Sequence, residues 1–87
     1  MKKINLMNYE IKTNEELKNL IESKVENLYL KSGLCATERI DIELMLTDEQ
    51  LELFYKIDLN NNYYWEKFDD MIYLAYTEKT YLEGIKT

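Results

Sequence analysis

Few residues of this 87-residue chain could do acid-base or nucleophilic chemistry. The chain has no histidine, which excludes a Ser-His or Cys-His pair and any histidine-ligated zinc site within it. Asp69 and Asp70 are adjacent carboxylates, but neighbouring residues of a helix diverge by about 100°. Cys35 has no second cysteine for a CxxC site or a disulfide, and we interpret it as a small buried hydrophobe. We therefore expect a non-enzymatic protein without a cofactor.

Residues 58 to 69, DLNNNYYWEKFD, contain carboxylates and amides that could bind calcium. Asp58, Asn60 and Asn62 match the first, third and fifth positions of an EF-hand loop, and Asp69 falls at its twelfth. Position six is Tyr63, where the loop needs glycine for its sharp turn. An asparagine-rich turn is the favoured interpretation, and a degenerate calcium site is kept as a third hypothesis.

Acidic residues are concentrated in the second half of the chain. Residues 1 to 37 hold five acids and six lysines, whereas residues 38 to 83 hold twelve acids and four basic residues. The net charge of the whole chain is −6. This distribution disfavours direct binding to nucleic acid and favours a basic partner.

The length of the chain predicts a single domain over residues 1 to 87. Its longest uninterrupted apolar run, Met71 to Tyr76, is far shorter than the roughly 20 residues needed to cross a bilayer. The start MKKIN has no apolar region of a secretory signal behind it. We expect a cytoplasmic protein with no membrane partner.

A strand over residues 4 to 11 and a helix over about residues 14 to 32 are predicted first. The strand carries apolar side chains on both parities, so we expect both of its faces to be covered. The helix begins with the capping-box spacing of Thr13 and Glu16, and Gly33 follows it as a C-cap.

Residues 39 to 58, RIDIELMLTDEQLELFYKID, have two interpretations. A β-hairpin with the turn TDEQ places apolar residues on one face and opposite charges across from each other on the other face. Alternatively, Thr47 and Gln50 form a capping box that begins a helix over about residues 48 to 57. The strict alternation of LELFYKIDL favours the hairpin, although its turn lacks the glycine or asparagine of tight hairpins.

Residues 63 to 85 are predicted as a second helix ending at Gly84, because at 100° per residue most of the apolar residues fall on one face. The predicted fold is therefore α+β with the order β-α-β-β-α, a small three-stranded sheet with two helices on one face. The alternative is a strand, a capped helix and an EF-hand-like loop. Four aromatic side chains are assigned to the core rather than to a base-stacking surface: Tyr55, Tyr64, Trp65 and Phe68.

Nine side chains form the candidate partner-binding surface. They lie on the outer face and turn of the predicted hairpin and on the exposed side of the last helix. Carboxylates held on rigid elements can imitate a phosphate array, and one tyrosine adds an apolar anchor. The nine are Asp41, Glu43, Asp48, Glu49, Glu52, Glu66, Asp69, Asp70 and Tyr73.

In size, acidity and lack of catalytic residues, the chain resembles small phage-encoded inhibitors, including DNA-mimic anti-restriction proteins, uracil-DNA glycosylase inhibitors and anti-CRISPR proteins. The resemblance rests on the composition of the whole chain and includes no motif, so it assigns no functional residue. It implies a protein of the host cytoplasm that occupies the basic nucleic-acid site of a CRISPR effector or another defence or repair enzyme. The alternative hypothesis is an antitoxin or assembly module that adds a strand or forms a homodimer through the apolar residues 4 to 11.

Overall fold

The computed structural model describes residues 2–34 and 38–78. The strands form one mixed sheet in the order β1-β2-β4-β3, with β1 parallel to β2 and the other pairs antiparallel. The α+β class is confirmed, but within the described residues the sheet has four strands instead of three. The elements are β1 (Lys2–Asn5), α1 (Asn14–Lys31), β2 (Ile40–Met45), α2 (Asp48–Phe54), β3 (Tyr63–Lys67) and β4 (Ile72–Tyr76).

The first helix was predicted correctly because its signals are local. Thr13 Oγ1 accepts a 3.1 Å hydrogen bond from the backbone N–H of Glu16 at the start of α1. Gly33 follows the helix with a φ of 66°, which L side chains rarely adopt. The strand before it is shorter than predicted, and Met7 and Tyr9 are exposed, so the expectation that both faces of residues 4 to 11 are covered was wrong.

The β-hairpin predicted over residues 39 to 58 does not form. Its first arm is the strand β2, but residues 48–54 form helix α2. Thr47 caps this helix: its Oγ1 accepts from the N–H of Gln50, and the Gln50 side chain accepts from the N–H of Thr47. The capping box therefore outweighed the alternation of LELFYKIDL, because it satisfies two backbone donors that a hairpin turn here would leave to water.

The second helix predicted over residues 63 to 85 is also wrong where the structure describes it. Residues 63–67 and 72–76 form the antiparallel hairpin β3-β4, in which Phe68 N–H donates to Met71 O across the turn. Aromatic and β-branched residues such as those of YYWEK and IYLAY favour strands, and Ile72, Leu74 and Tyr76 alternate inward. The predicted C-cap Gly84 and Cys35 lie outside the described residues.

Both helices pack on one face of the sheet. Buried side chains from β1, β2 and β4 meet those of α1 and of Phe54 in α2 to form one core. Gln50, which is only 4% exposed, joins the helix layer to the chain after β1 by donating from Nε2 to the carbonyls of Leu6 (2.7 Å) and Tyr9 (3.1 Å). In the described part of the chain, no helix is long and apolar enough to cross a membrane.

Candidate functional site

The opposite face of the sheet carries no described helix, and the strand register brings acidic and aromatic side chains together on it. Glu43, Tyr73 and Glu66 occupy one row across β2, β4 and β3. Asp41 and Tyr64 lie in the next row, on either side of Ala75 in β4. Because alternate residues of a strand point to the same face, all of these side chains project away from the helices.

Hydrogen bonds and ion pairs order this uncovered face. The Tyr73 hydroxyl donates to Asp41 Oδ1 at 2.7 Å, and Arg39 Nε lies 3.0 Å from the same oxygen. Lys3 Nζ lies 3.7 Å from Glu43 Oε2. Two of the three carboxylates described on the face therefore have a cation beside them, which reduces the negative charge at its β1-β2 side.

The tyrosines of the uncovered face are held as neutral hydrogen-bond donors. The hydrogen bond to Asp41 raises the pKa of Tyr73 above its usual value, and burial adds to the effect. The Tyr64 hydroxyl donates to Glu66, and this bond raises the pKa of Tyr64. The two rings lie 6.3 Å apart in an edge-to-face arrangement. The face thus presents two ordered phenols among carboxylates.

The end of the β3-β4 hairpin combines apolar surface with a carboxylate. Glu66, Phe68, Met71 and Tyr73 line a shallow apolar depression, which we call the hairpin patch. Phe68 is 51% exposed there. An aromatic side chain exposed to this extent beside hydrogen-bonded polar groups is typical of a protein interface.

Three carboxylates from different parts of the chain surround a groove next to the hairpin patch. Asp48 begins α2, and Asp69 and Asp70 form the turn between β3 and β4; all three line the groove. Met71 lines both the groove and the patch, so the two adjoin at this side chain. The cation of the groove, Lys67, donates its ammonium hydrogen bonds to the carbonyls of Phe68 and Asp69.

Seven of the nine side chains predicted to bind a partner lie on the uncovered face or around the groove. Those on the uncovered face are Asp41, Glu43, Glu66 and Tyr73, and those around the groove are Asp48, Asp69 and Asp70. Glu49 and Glu52 are instead exposed on α2, which covers the other face of the sheet. The sequence predicted them on one outer surface with Asp41 because it predicted a β-hairpin, and that hairpin does not form.

The aromatic residues of this region were assigned wrongly from the sequence. Tyr55, Tyr64, Trp65 and Phe68 were expected in the core, but all four are exposed by a third or more of their surface. Trp65 packs edge-on against the buried Phe54 at 4.8 Å, with the Tyr55 ring 6.1 Å away, and 37% of its surface remains exposed. Tyr64, Glu66 and Phe68 occupy alternate positions, and this spacing is the sequence pattern that could have predicted an outward-facing strand surface.

The geometry of residues 58 to 69 does not match a calcium-binding hand. The backbone of this segment continues into strand β3 rather than into a helix, which places about 13 Å of extended chain between Asn62 and Asp69. Asn62 uses its amide to donate to the carbonyls of Thr77 (2.8 Å) and Glu78 (2.9 Å). Within residues 2–34 and 38–78, no three His, Cys, Asp or Glu side chains are grouped closely enough to hold a metal ion.

No family model matches this chain, and neither a curated protein nor a solved structure shows significant similarity to it. Its function is therefore argued from the geometry of the uncovered face, the hairpin patch and the adjoining groove.

Proposed function

We propose that this chain is a non-enzymatic binding protein that inhibits a nucleic-acid-binding enzyme by occupying its basic nucleic-acid site. A CRISPR effector, or another host defence or repair enzyme attacked by a phage, is the target class that we favour. The observation that carries the proposal is that the apolar hairpin patch adjoins, at Met71, the groove lined by Asp48, Asp69 and Asp70.

The proposed interface has the two parts that a stable complex with a basic groove requires. Phe68 and Tyr73 supply apolar surface whose burial stabilises the complex, and such aromatic anchors typically dominate binding energy. The carboxylates beside them take the positions of phosphates against lysines and arginines of the target. Direct binding of nucleic acid is disfavoured because the chain carries a net charge of −6.

The acids at the hairpin end suit this role better than those near β1. Asp41 and Glu43 have Arg39 and Lys3 within salt-bridge distance, so part of their charge is already compensated. Asp69 and Asp70 share only Lys67 in the described groove, and its ammonium is directed to backbone carbonyls. We therefore expect the target's cations to contact the turn first.

The test is a binding experiment with two matched double variants. Asp69→Asn with Asp70→Asn and Glu49→Gln with Glu52→Gln each remove two negative charges, but only the first pair lies at the hairpin end. Candidate targets are recovered from bacterial lysate on the immobilised chain, eluted with rising salt and identified by mass spectrometry. Each purified target is then assayed for its nucleic-acid-dependent activity.

Support requires a nucleic-acid-binding target that elutes steeply with salt, is inhibited by the free chain and competes with its nucleic acid for the chain. The hairpin-end variant should then bind at least about tenfold more weakly, while the α2 variant stays within about twofold of the original affinity. Equal losses in both variants would indicate an effect of net charge alone. Recovery of targets that do not bind nucleic acid would contradict the proposal.

A further inference from the structure

β3 is an outer strand of the sheet, and one of its edges has no strand beside it in the described structure. The Phe68 N–H donates to Met71 O at 2.9 Å, and the Thr77 N–H donates to Asn62 O at 3.1 Å. In an antiparallel pair, residues that exchange hydrogen bonds alternate with residues that do not. The even-numbered residues of β3 therefore bond to β4, and the odd-numbered residues direct their backbone groups to the free edge.

The odd-numbered residues of β3 are Tyr63, Trp65 and Lys67. The Tyr63 N–H is already used, because it donates to Asn60 O at 3.1 Å. The free edge therefore offers the N–H and C=O groups of Trp65 and Lys67 and the C=O group of Tyr63. These groups can pair with a strand whose hydrogen bonds are centred on Trp65 and that does not require the N–H of residue 63.

We propose that this edge binds β3 of a second copy of the chain, antiparallel, around a two-fold axis at Trp65. In that register the two Trp65 residues exchange both of their backbone hydrogen bonds. Each Lys67 N–H donates to the Tyr63 carbonyl of the other copy, and the Tyr63 N–H stays with Asn60. The register thus uses the donors and acceptors that the edge leaves open, except the Lys67 carbonyl.

The side chains of β3 are compatible with this register. On the uncovered face, Tyr64 of one copy lies opposite Glu66 of the other, so no two like charges oppose each other. A register centred on Glu66 would place Glu66 opposite itself. On the helix side the two Trp65 rings, each 37% exposed, become neighbours and cover apolar surface.

Lysine on an edge strand often prevents such pairing, but the two edges of this sheet differ in how their lysines are used. The Lys67 ammonium donates to the carbonyls of Phe68 and Asp69, so its charge is directed to its own turn. At the opposite edge, β1 is four residues long and carries the exposed Lys2 and Lys3. Self-pairing of β1 would gather four lysines, two from each copy, in an interface only four residues long, so β3 is the edge that a second copy fits.

This pairing is independent of the proposed function and responds to salt in the opposite direction. Each copy carries a net charge of −6, so the two copies repel each other at low ionic strength. Added salt screens this repulsion and strengthens the dimer, whereas it weakens binding to a basic target. A five-residue strand is a small interface, and the concentration range must therefore extend to about 1 mM.

The test combines sedimentation equilibrium with residue-resolved amide hydrogen exchange. We expect a monomer-dimer equilibrium that shifts towards the dimer as the salt concentration rises from about 50 mM to about 500 mM, with pH and temperature held constant. At high protein concentration the amides of Trp65 and Lys67 become protected, while those of Tyr64 and Glu66 are protected at every concentration. A monomer at all concentrations, or protection that appears at β1 instead, would overturn the proposal.

Two variants of the exposed Tyr64 separate the register from general effects of losing the ring. Tyr64→Lys places a cation opposite Glu66 of the second copy, and Tyr64→Glu places an anion there. Both remove the same aromatic group, and their dissociation constants should differ by about tenfold or more, with the lysine variant tighter. The same two changes at the exposed Leu30 of α1 alter the net charge equally and should give a smaller difference. Equal dissociation constants at low salt would contradict pairing in this register, and thermal melts of both variants verify that each remains folded.

Discussion

The Tyr73 hydroxyl donates a 2.7 Å hydrogen bond to Asp41 Oδ1 and so links the two central strands, β2 and β4, on the uncovered face of the sheet. The residues are 32 positions apart in the chain, yet diagonal neighbours in the β2-β4 register. Asp41 also contacts Arg39 at 3.0 Å, so its carboxylate remains paired if the phenol is removed. The bond consequently orients the Tyr73 ring beside the hairpin patch more than it stabilises the sheet.

Replacing Tyr73 with phenylalanine should lower the free energy of unfolding at pH 7 by only about 0.5–1.5 kcal/mol. Because the hydrogen bond raises the pKa of Tyr73, its contribution is complete below about pH 10 and is lost as the pH rises through the raised value. Urea denaturation at pH 7 and pH 11 measures both effects. The control is Tyr55→Phe, at an exposed tyrosine. If Tyr73→Phe lowered the free energy of unfolding equally at pH 7 and pH 11, the hydrogen bond from Tyr73 to Asp41 would not be the cause.

Changing Gln50 to glutamate should destabilise the protein by about 2–4 kcal/mol at pH 7. The new carboxylate can still accept from the Thr47 N–H, but it faces the carbonyls of Leu6 and Tyr9 without a proton to donate. The folded state therefore raises the pKa of this carboxyl, and the variant regains stability as the pH falls. Thermal melts at pH 4 and pH 7 should show a smaller deficit at pH 4. An equal deficit at both values would indicate that these contacts are not formed.

Tyr63→Phe should stabilise the protein by up to about 1 kcal/mol. The Tyr63 hydroxyl is buried and has no hydrogen-bond partner among the described residues. Burial raises the pKa of Tyr63 far above its usual range, and the neighbouring Tyr76 adds to the shift. The wild type should therefore lose stability above about pH 10 more steeply than the variant. Denaturation curves between pH 8 and pH 12 check the slope, and a less stable variant would show that the hydroxyl has a partner.

Phe68→Ala should weaken binding of a basic target by about tenfold or more while it changes folding stability by less than about 1 kcal/mol. The ring is half exposed on the hairpin patch, so little of its surface contributes to the core. The matched control is Leu30→Ala, because Leu30 is also exposed but lies on α1. Isothermal titration with the purified target measures both variants. Equal affinities for the two would remove the hairpin patch from the interface.

How far the sequence predicts each element depends on how local its signals are. α1 has a cap, a periodic apolar face and a terminal glycine within one continuous segment, and its predicted range was confirmed. For residues 47 to 54 the sequence carries two conflicting signals: the capping box of Thr47 and Gln50 predicts the observed helix, whereas the alternation of the following residues predicts a strand. The buried side of Gln50 bonds to residues 41 and 44 positions earlier, which no local pattern displays.

The β3-β4 hairpin shows the limit most clearly. Its apolar residues are compatible both with one face of a helix, at 100° per residue, and with two strands. Pairing of β4 with β2 on one side and with β3 on the other decides between these two structures, and Leu74 takes part in both pairings. That pairing also turns Tyr64 and Phe68 outward, where the sequence interpretation had assigned them to the core. Asp41 and Glu43 still share an outward face because the first arm of the predicted hairpin forms as β2, and the register of β4 with β2 and β3 places Tyr73 between Glu43 and Glu66.

By itself, the sequence determined the α+β class, the first helix with its caps, the acidic charge of the second half and the absence of histidine chemistry. Tertiary structure alone decided that residues 63–67 and 72–76 are strands, that the hairpin patch and the acidic groove adjoin at Met71, and that the free edge of β3 is centred on Trp65. The physical reason is that caps and charges act over a few residues or through composition. Strand pairing and surface continuity, in contrast, depend on hydrogen bonds and contacts between segments far apart in the chain.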